Sequence, residues 1–157
     1  MLRLKCVWIP NPRKEPEMSN INLGRVLLGG LLAGLIINIG EFLLNDVVLG
    51  NQLKEYLSKH NYQDPGPNFI VVAVVMTFIL GIVTVLIYAM IRSRFGPGPK
   101  TAIIAGLVSW FGIYVYAGII NGVLFAVPMN VIGIAIVWGL VEYTVAALAG
   151  AWIYKEA

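Results

Sequence analysis

Between Lys100 and Glu142 the chain carries no charged residue, and from Asn68 to Ile91 it carries none either. About 20 apolar residues cross the roughly 30 Å hydrocarbon core of a bilayer at about 1.5 Å per helical residue. The run after Lys100 is long enough for two crossings, and Pro128, flanked by Met129 and Asn130, divides it. A further apolar run from Leu23 to Leu49 holds Arg25 near its start and is then interrupted by Glu41 and Asp46. Inside hydrocarbon the backbone must satisfy its own polar groups, and helices are the form these lengths permit. The expected fold is therefore all-α, a polytopic membrane protein with four transmembrane helices at about 23–49, 68–91, 101–125 and 131–154. Composition agrees, with 59% hydrophobic and 12% charged residues, where soluble domains carry about 25% charged.

Residues 1–20 differ from the rest. Pro10, Pro12 and Pro16 alternate with Arg13, Lys14, Glu15 and Glu17, so a disordered cytoplasmic leader is expected there, and Met18 is a candidate start. Leu4 to Pro10 is too short for a secretory signal. The four-helix domain then occupies 21–157, opening at Asn20 or Asn22 as N-cap.

Lys and Arg set the orientation. Arg3, Lys5, Arg13, Lys14 and Arg25, then Arg92, Arg94 and Lys100, and finally Lys155 fall on one side, against Lys54 and Lys59 on the other. The positive-inside rule places both termini in the cytoplasm, in a bacterial inner membrane. The outer connection repeats Leu49, Leu53, Tyr56, Leu57 and His60 at helical spacing, which predicts a short amphipathic helix or an extension of the first span.

Leu31–Phe42 (LLAGLIINIGEF) and Ile103–Tyr114 (IIAGLVSWFGIY) match at Ala33/Ala105, Gly34/Gly106, Leu35/Leu107 and Gly40/Gly112. Gly81-Ile-Val-Thr-Val pairs more weakly with Gly139-Leu-Val-Glu-Tyr. Together these suggest two tandem helical hairpins, a parallel internal repeat.

At about 100° per residue, Gly30, Gly34, Asn38, Glu41 and Asn45 share one face of the first helix. Ala135, Trp138, Gly139, Glu142, Ala146 and Ala149 do so on the fourth, and Thr77, Gly81, Thr84 and Tyr88 on the second. On the third, Ser109, Gly112 and Tyr116 lie on one side and Trp110, Tyr114 and Asn121 on the other, and the sequence leaves both faces open. Gly30, Gly34, Gly81, Gly112, Gly139 and Ala146 are the expected packing positions. Asn38, Glu41, Asn45, Thr77, Tyr114, Tyr116, Glu142 and Tyr143 form the expected buried polar site.

Arg25 stands at the very start of the first span, and no Lys, Arg or His lies within the hydrocarbon region to pair with Glu41 and Glu142. An unpaired ionised carboxylate is costly there, so each is expected to be neutral or to hold a cation. Three readings follow. The acids are hydrogen-bonding glue in a non-catalytic accessory bundle, a proton- or cation-handling site of a small carrier, or part of a lipid or quinone site with Trp110, Tyr114 and Trp138. No metal site is expected from the lone His60 and Cys6, and no cofactor or nucleic-acid partner. Membrane lipids are the expected partners, with a homodimer or a larger membrane complex. Arg92 to Lys100 has glycines but not the strand-to-helix setting of a phosphate loop; it reads as a rigid turn.

The first helix, the Arg92–Lys100 turn, Trp138-Gly-Leu-Val-Glu142 and Leu148-Ala-Gly-Ala-Trp-Ile-Tyr154 together resemble an uncharacterised family of small bacterial four-helix integral membrane proteins. The resemblance covers Ile21 to the C-terminus. It implies the fold and carries no established activity, so no catalytic residue comes with it.

Overall fold

The computed structural model describes residues 21–63 and 65–155. The leader at 1–20, with Cys6 and Met18, lies outside the described residues, as does Asp64. Among the described residues every regular element is helical.

The first span begins at Asn22, whose side chain accepts from the Arg25 backbone N–H at 3.1 Å and caps α1 (Leu23–Phe42). The span continues as a π-helical stretch, Leu43–Val48, and passes through Leu49 into α2 (Gly50–Lys59). Both expected forms of the connection are thus realised: α2 has a polar and an apolar face, and it prolongs the first span. Helix α3 (Pro67–Phe95) starts with proline in its first turn, where no intrahelical N–H partner is needed. It runs past Ile91 through Arg92 and Arg94 in its last turn, where basic side chains suit the negative end of the helix dipole. Gly96 and Gly98, with φ of 83° and 135°, turn the chain into α4 (Pro99–Trp110). A second π-helical stretch, Phe111–Ala117, leads to α5 (Gly118–Leu124). Helix α6 (Met129–Ile153) closes the fold.

Four segments, Leu23–Val48, Pro67–Phe95, Pro99–Leu124 and Met129–Ile153, are long and apolar enough to cross a membrane. Around the bundle the order is α1, α3, α4, α6, each packed on the next, with α3 and α6 in contact across the centre. The first and third spans therefore face each other along the longer diagonal. Side chains such as Leu28, Ile39, Val72, Met76 and Val137 point outward and are exposed. That inverts the soluble pattern and is what a hydrocarbon solvent permits.

Small residues set the closest approach. A Cβ on Gly81 of α3 would run into the backbone of Gly30 and Gly34 on α1, and one on Gly30 would strike the Ile82 backbone. Between α1 and α6, Gly29 and Gly150 meet in the same way; between α4 and α6, Gly106 lies against the Tyr143 carbonyl. Close packing of this kind replaces the hydrophobic drive that lipid removes. In the centre Thr84 Oγ1 donates to Leu80 O at 2.9 Å and lies 2.9 Å from Ser109 Oγ, tying α3 to α4. At the Gly96–Gly98 end, the Arg92 guanidinium sits 5.4 Å over the Tyr154 ring, which meets Tyr88 edge-on. At the opposite end the Tyr56 hydroxyl of α2 donates to Phe125 O, tying α2 to the turn after α5.

Gly112 departs from the sequence reading. A Cβ there would meet nothing within 4 Å, so this glycine is not a packing position. The reason is the π-helical stretch around it. Such a stretch closes from residue i to i+5, so Ser109 and Tyr114, about 140° apart on a regular helix at 100° per residue, are both buried at 7% exposure. Gly112 and Tyr116 rotate outward instead, Tyr116 to 65% exposure. The first span re-registers similarly: the Leu49 N–H donates to Leu44 O at 2.8 Å, five residues back, and both leucines are buried.

Candidate functional site

The two carboxyl groups meet in the centre of the bundle, near the α2 end, and Tyr114 joins them. Tyr114 leaves the third span and reaches across the longer diagonal. Its ring passes over Gly139 of α6, where any Cβ would strike it. The Tyr114 hydroxyl donates to Glu41 Oε1 at 2.9 Å and lies 3.2 Å from Glu142 Oε2. Asn45 completes the Glu41 side, its Nδ2 donating to Oε2 at 2.9 Å and to the Glu41 backbone carbonyl at 2.9 Å. Glu142, 7% exposed and close to the midpoint of α6, packs its Oε1 against Gly40 of α1. Two glycines thus make room for the site, Gly139 for the phenol ring and Gly40 for the carboxyl.

Counting protons constrains the chemistry. A tyrosine hydroxyl has one hydrogen to give and lone pairs to receive. With that hydrogen directed at Glu41, the 3.2 Å approach of Glu142 Oε2 is a hydrogen bond when Glu142 carries a proton and donates it to Tyr114. Glu41 is held on both oxygens, by Tyr114 at Oε1 and by Asn45 at Oε2. The three groups form a continuous chain, Glu142, Tyr114 and Glu41, in which one tyrosine hydrogen serves two contacts, so both are hydrogen bonds only when a carboxyl contributes a proton. Glu142 Oε1 is buried with no hydrogen-bond partner among the described residues.

Other residues named from the sequence surround this chain without joining it. Asn38 Nδ2 donates to Gly34 O at 2.8 Å and approaches Val74 O at 3.5 Å, so it braces α1 against α3. Thr77 is half-buried on α3 and bonds to neither acid. Tyr143, 1% exposed, meets the Tyr114 ring edge-on at 5.7 Å, and its hydroxyl has no partner among the described residues. Tyr116 is turned away from the site. Trp110 Nε1 donates to Ile136 O at 2.8 Å, linking the third span to α6. Ala146 is buried against the core, and Gly30, Gly34 and Gly81 form the α1–α3 crossing. Asp46 is exposed in the first π-helical stretch.

Sequence reasoning missed the role of Gly40, whose only signal was its place in the repeated segment. It also missed the open side of the site. A groove of about 790 Å³ runs between α1 and α6, and its walls include Ile36, Gly40 and Leu43 facing Val137, Trp138 and Glu142. A smaller cavity of about 200 Å³ borders Tyr114 on its other side, beside Asn121 and Gly122. Among the described residues no cluster of His, Cys, Asp and Glu has the makings of a metal site.

The fold and this buried polar centre define the class: an all-α polytopic membrane protein with two acids held inside the bundle. Compared with protein-family models, curated proteins and solved structures, the chain matches none.

Proposed function

We propose that this chain is a small, non-enzymatic proton-coupled carrier whose exchangeable proton sits in the Glu142–Tyr114–Glu41 chain. The observation that carries the reading is the single phenol placed between two carboxyls, 2.9 Å and 3.2 Å away. Losing or gaining one proton there changes the charge at the heart of the bundle, and ionisable groups at such depth generally mark ion or proton routes. The Lys and Arg distribution supports cytoplasmic termini in a bacterial inner membrane. Lipids are its immediate partners, and a homodimer or larger complex remains compatible with its exposed apolar faces.

The repeat fits the same reading. Gly34 packs on α3 and Gly106 on α6, so the leading helix of each hairpin packs on its own second helix. Each matched segment runs into a π-helical stretch. A duplicated hairpin would supply one acid-bearing half to each side of the proton chain.

One observation favours a second reading, an accessory bundle in which the acids are glue. The Tyr114 bonds tie the first and third spans to α6 and would stabilise the assembly without moving anything. Glu41→Gln and Glu142→Gln separate the two. In sealed vesicles with an imposed pH gradient, the carrier loses proton flux on either substitution, whereas glue tolerates the isosteric amide. Flux in the double variant equal to that of the unaltered chain eliminates the carrier.

A further inference from the structure

The end of the bundle at the Gly96–Gly98 turn gathers cations from three spans. Arg25 stands in the first turn of α1, Arg92 and Arg94 in the last turn of α3, and Lys100 in the first turn of α4. Gly30 of α1 packs on Ile82 of α3 and Gly34 on Phe78, so the two helices run antiparallel and Arg25 comes to the same end. Arg25, Arg94 and Lys100 are exposed. Lys155, which Glu156 follows in the sequence, adds nothing net. The described acids are Glu41, Asp46, Glu55 and Glu142, and none stands at this end. At the other end Asp46 and Glu55 offset Lys54 and Lys59. The turn itself is pinned on both sides. Tyr88 accepts from the Gly98 N–H at 3.4 Å, and Thr101 Oγ1 donates to Gly96 O at 2.7 Å. Beside the cations, Phe95 and Trp152 are 61% and 82% exposed. Gly29 of α1 meets Gly150 of α6, which sets Trp152 close to the level of Arg25.

We propose that the α3–α4 turn is a binding surface for the head group of an anionic phospholipid of the phosphatidylglycerol class, with Arg94 and Lys100 as its principal cations. Charge complementarity chooses the sign of the partner. A guanidinium and an ammonium both donate to phosphate oxygens, the guanidinium as a planar fork. A zwitterionic head group tethers its own ammonium to the phosphate, and a surface without carboxylates repels that ammonium. Each Lys or Arg near an anionic leaflet strengthens attachment about fivefold. Because the turn is held by Tyr88 and Thr101, its cations flank a fixed shape, and less order is lost on binding. The exposed rings choose a lipid over a soluble phosphate. Tryptophan settles at head-group level, and Phe95, next to Arg94, offers apolar surface to the first carbons of an acyl chain. This goes beyond the carrier reading and requires neither proton movement nor a given orientation of the chain.

The test places a fluorophore at Ser93→Cys, an exposed position between the two arginines of α3, in the full chain carrying Cys6→Ser. The protein is held in phosphatidylcholine vesicles, and spin-labelled phosphatidylglycerol or spin-labelled phosphatidylcholine is added as quencher. Half-quenching is expected at about a fivefold lower mole fraction of the anionic lipid, or lower still. Arg94→Gln with Lys100→Gln should bring the two lipids together. Lys54→Gln with Lys59→Gln removes the same net charge at the opposite end and should change nothing. Equal quenching by both lipids in the unaltered chain overturns the proposal. So does an equal loss of preference in the two double variants, which would make net charge, and not this turn, the cause. Relief of quenching by millimolar glycerol phosphate would assign the surface to a soluble phosphate and overturn the lipid assignment. Proton flux without lipid preference sinks this inference and spares the carrier; lipid preference without flux does the reverse.

Discussion

Gly40 and Glu142 meet across the α1–α6 interface, the carboxyl of one resting where the other has no side chain. Adding a single methyl to Gly40 would displace Oε1 and the whole acid with it. The obstacle is the end of a flexible side chain, and alanine is also the better helix former by about 1 kcal/mol. Gly40→Ala is therefore expected to fold with stability within about 1 kcal/mol of the unaltered chain. It should nevertheless lose the proton flux, because Glu142 no longer reaches Tyr114. Reversible unfolding in mixed micelles and vesicle flux assays check the two halves; retained flux would separate Glu142 from the proton route.

Gly81→Ala should behave in the opposite way. The new methyl would meet backbone atoms of Gly30 and Gly34, which cannot turn aside as a side chain can. The α1–α3 crossing must open, at a cost of about 1–3 kcal/mol, as for other overpacked sites. Chemical unfolding of the purified variant measures this directly.

Tyr114→Phe keeps the ring over Gly139 and removes the hydroxyl that both acids use. The packing should survive. Each carboxyl loses its shared partner while buried or half-buried, so a loss of about 1–3 kcal/mol is expected, together with the proton flux. Infrared spectroscopy should show the protonated-carboxyl band of Glu142 shifted in this variant and absent in Glu142→Gln.

Thr84 and Ser109 join α3 to α4 side chain to side chain at 2.9 Å, with Thr84 fully buried. Ser109→Ala leaves Thr84 its bond to Leu80 O, so the loss should be small, about 0.6 kcal/mol and at most about 1.7. A double-mutant cycle with Thr84→Val measures the coupling; a value of zero would make this pair a bystander.

At the end of α5, Ala126 has φ of 55°. The Val127 N–H donates to Gly122 O at 2.9 Å and the Ala126 N–H to Val123 O at 3.3 Å, the paired bonds of a Schellman closure. A residue with a Cβ in this left-handed conformation costs roughly 1 kcal/mol. Ala126→Gly should therefore raise unfolding stability by about that amount, with flux unchanged.

Charge-free runs and their lengths were enough to read four membrane-competent helices, because a bilayer accepts few other forms of backbone. Spacing was enough to place Glu142 with Gly139, which share one regular helix, and Glu41 with Asn45, whose four-residue step still brings them together where α1 passes into the π-helical stretch. The third span could not be read this way. Its π-helical stretch changes the angular step, so Tyr114 turned inward while Gly112 and Tyr116 turned out, and no wheel drawn at a constant angle shows that. The meeting of the two acids through Tyr114, and the groove beside Glu142, exist only once the first and third spans stand on opposite corners with α6 between them. Helix periodicity is a local property of the chain. Which diagonal a tyrosine crosses is decided by how closely glycines let the helices approach.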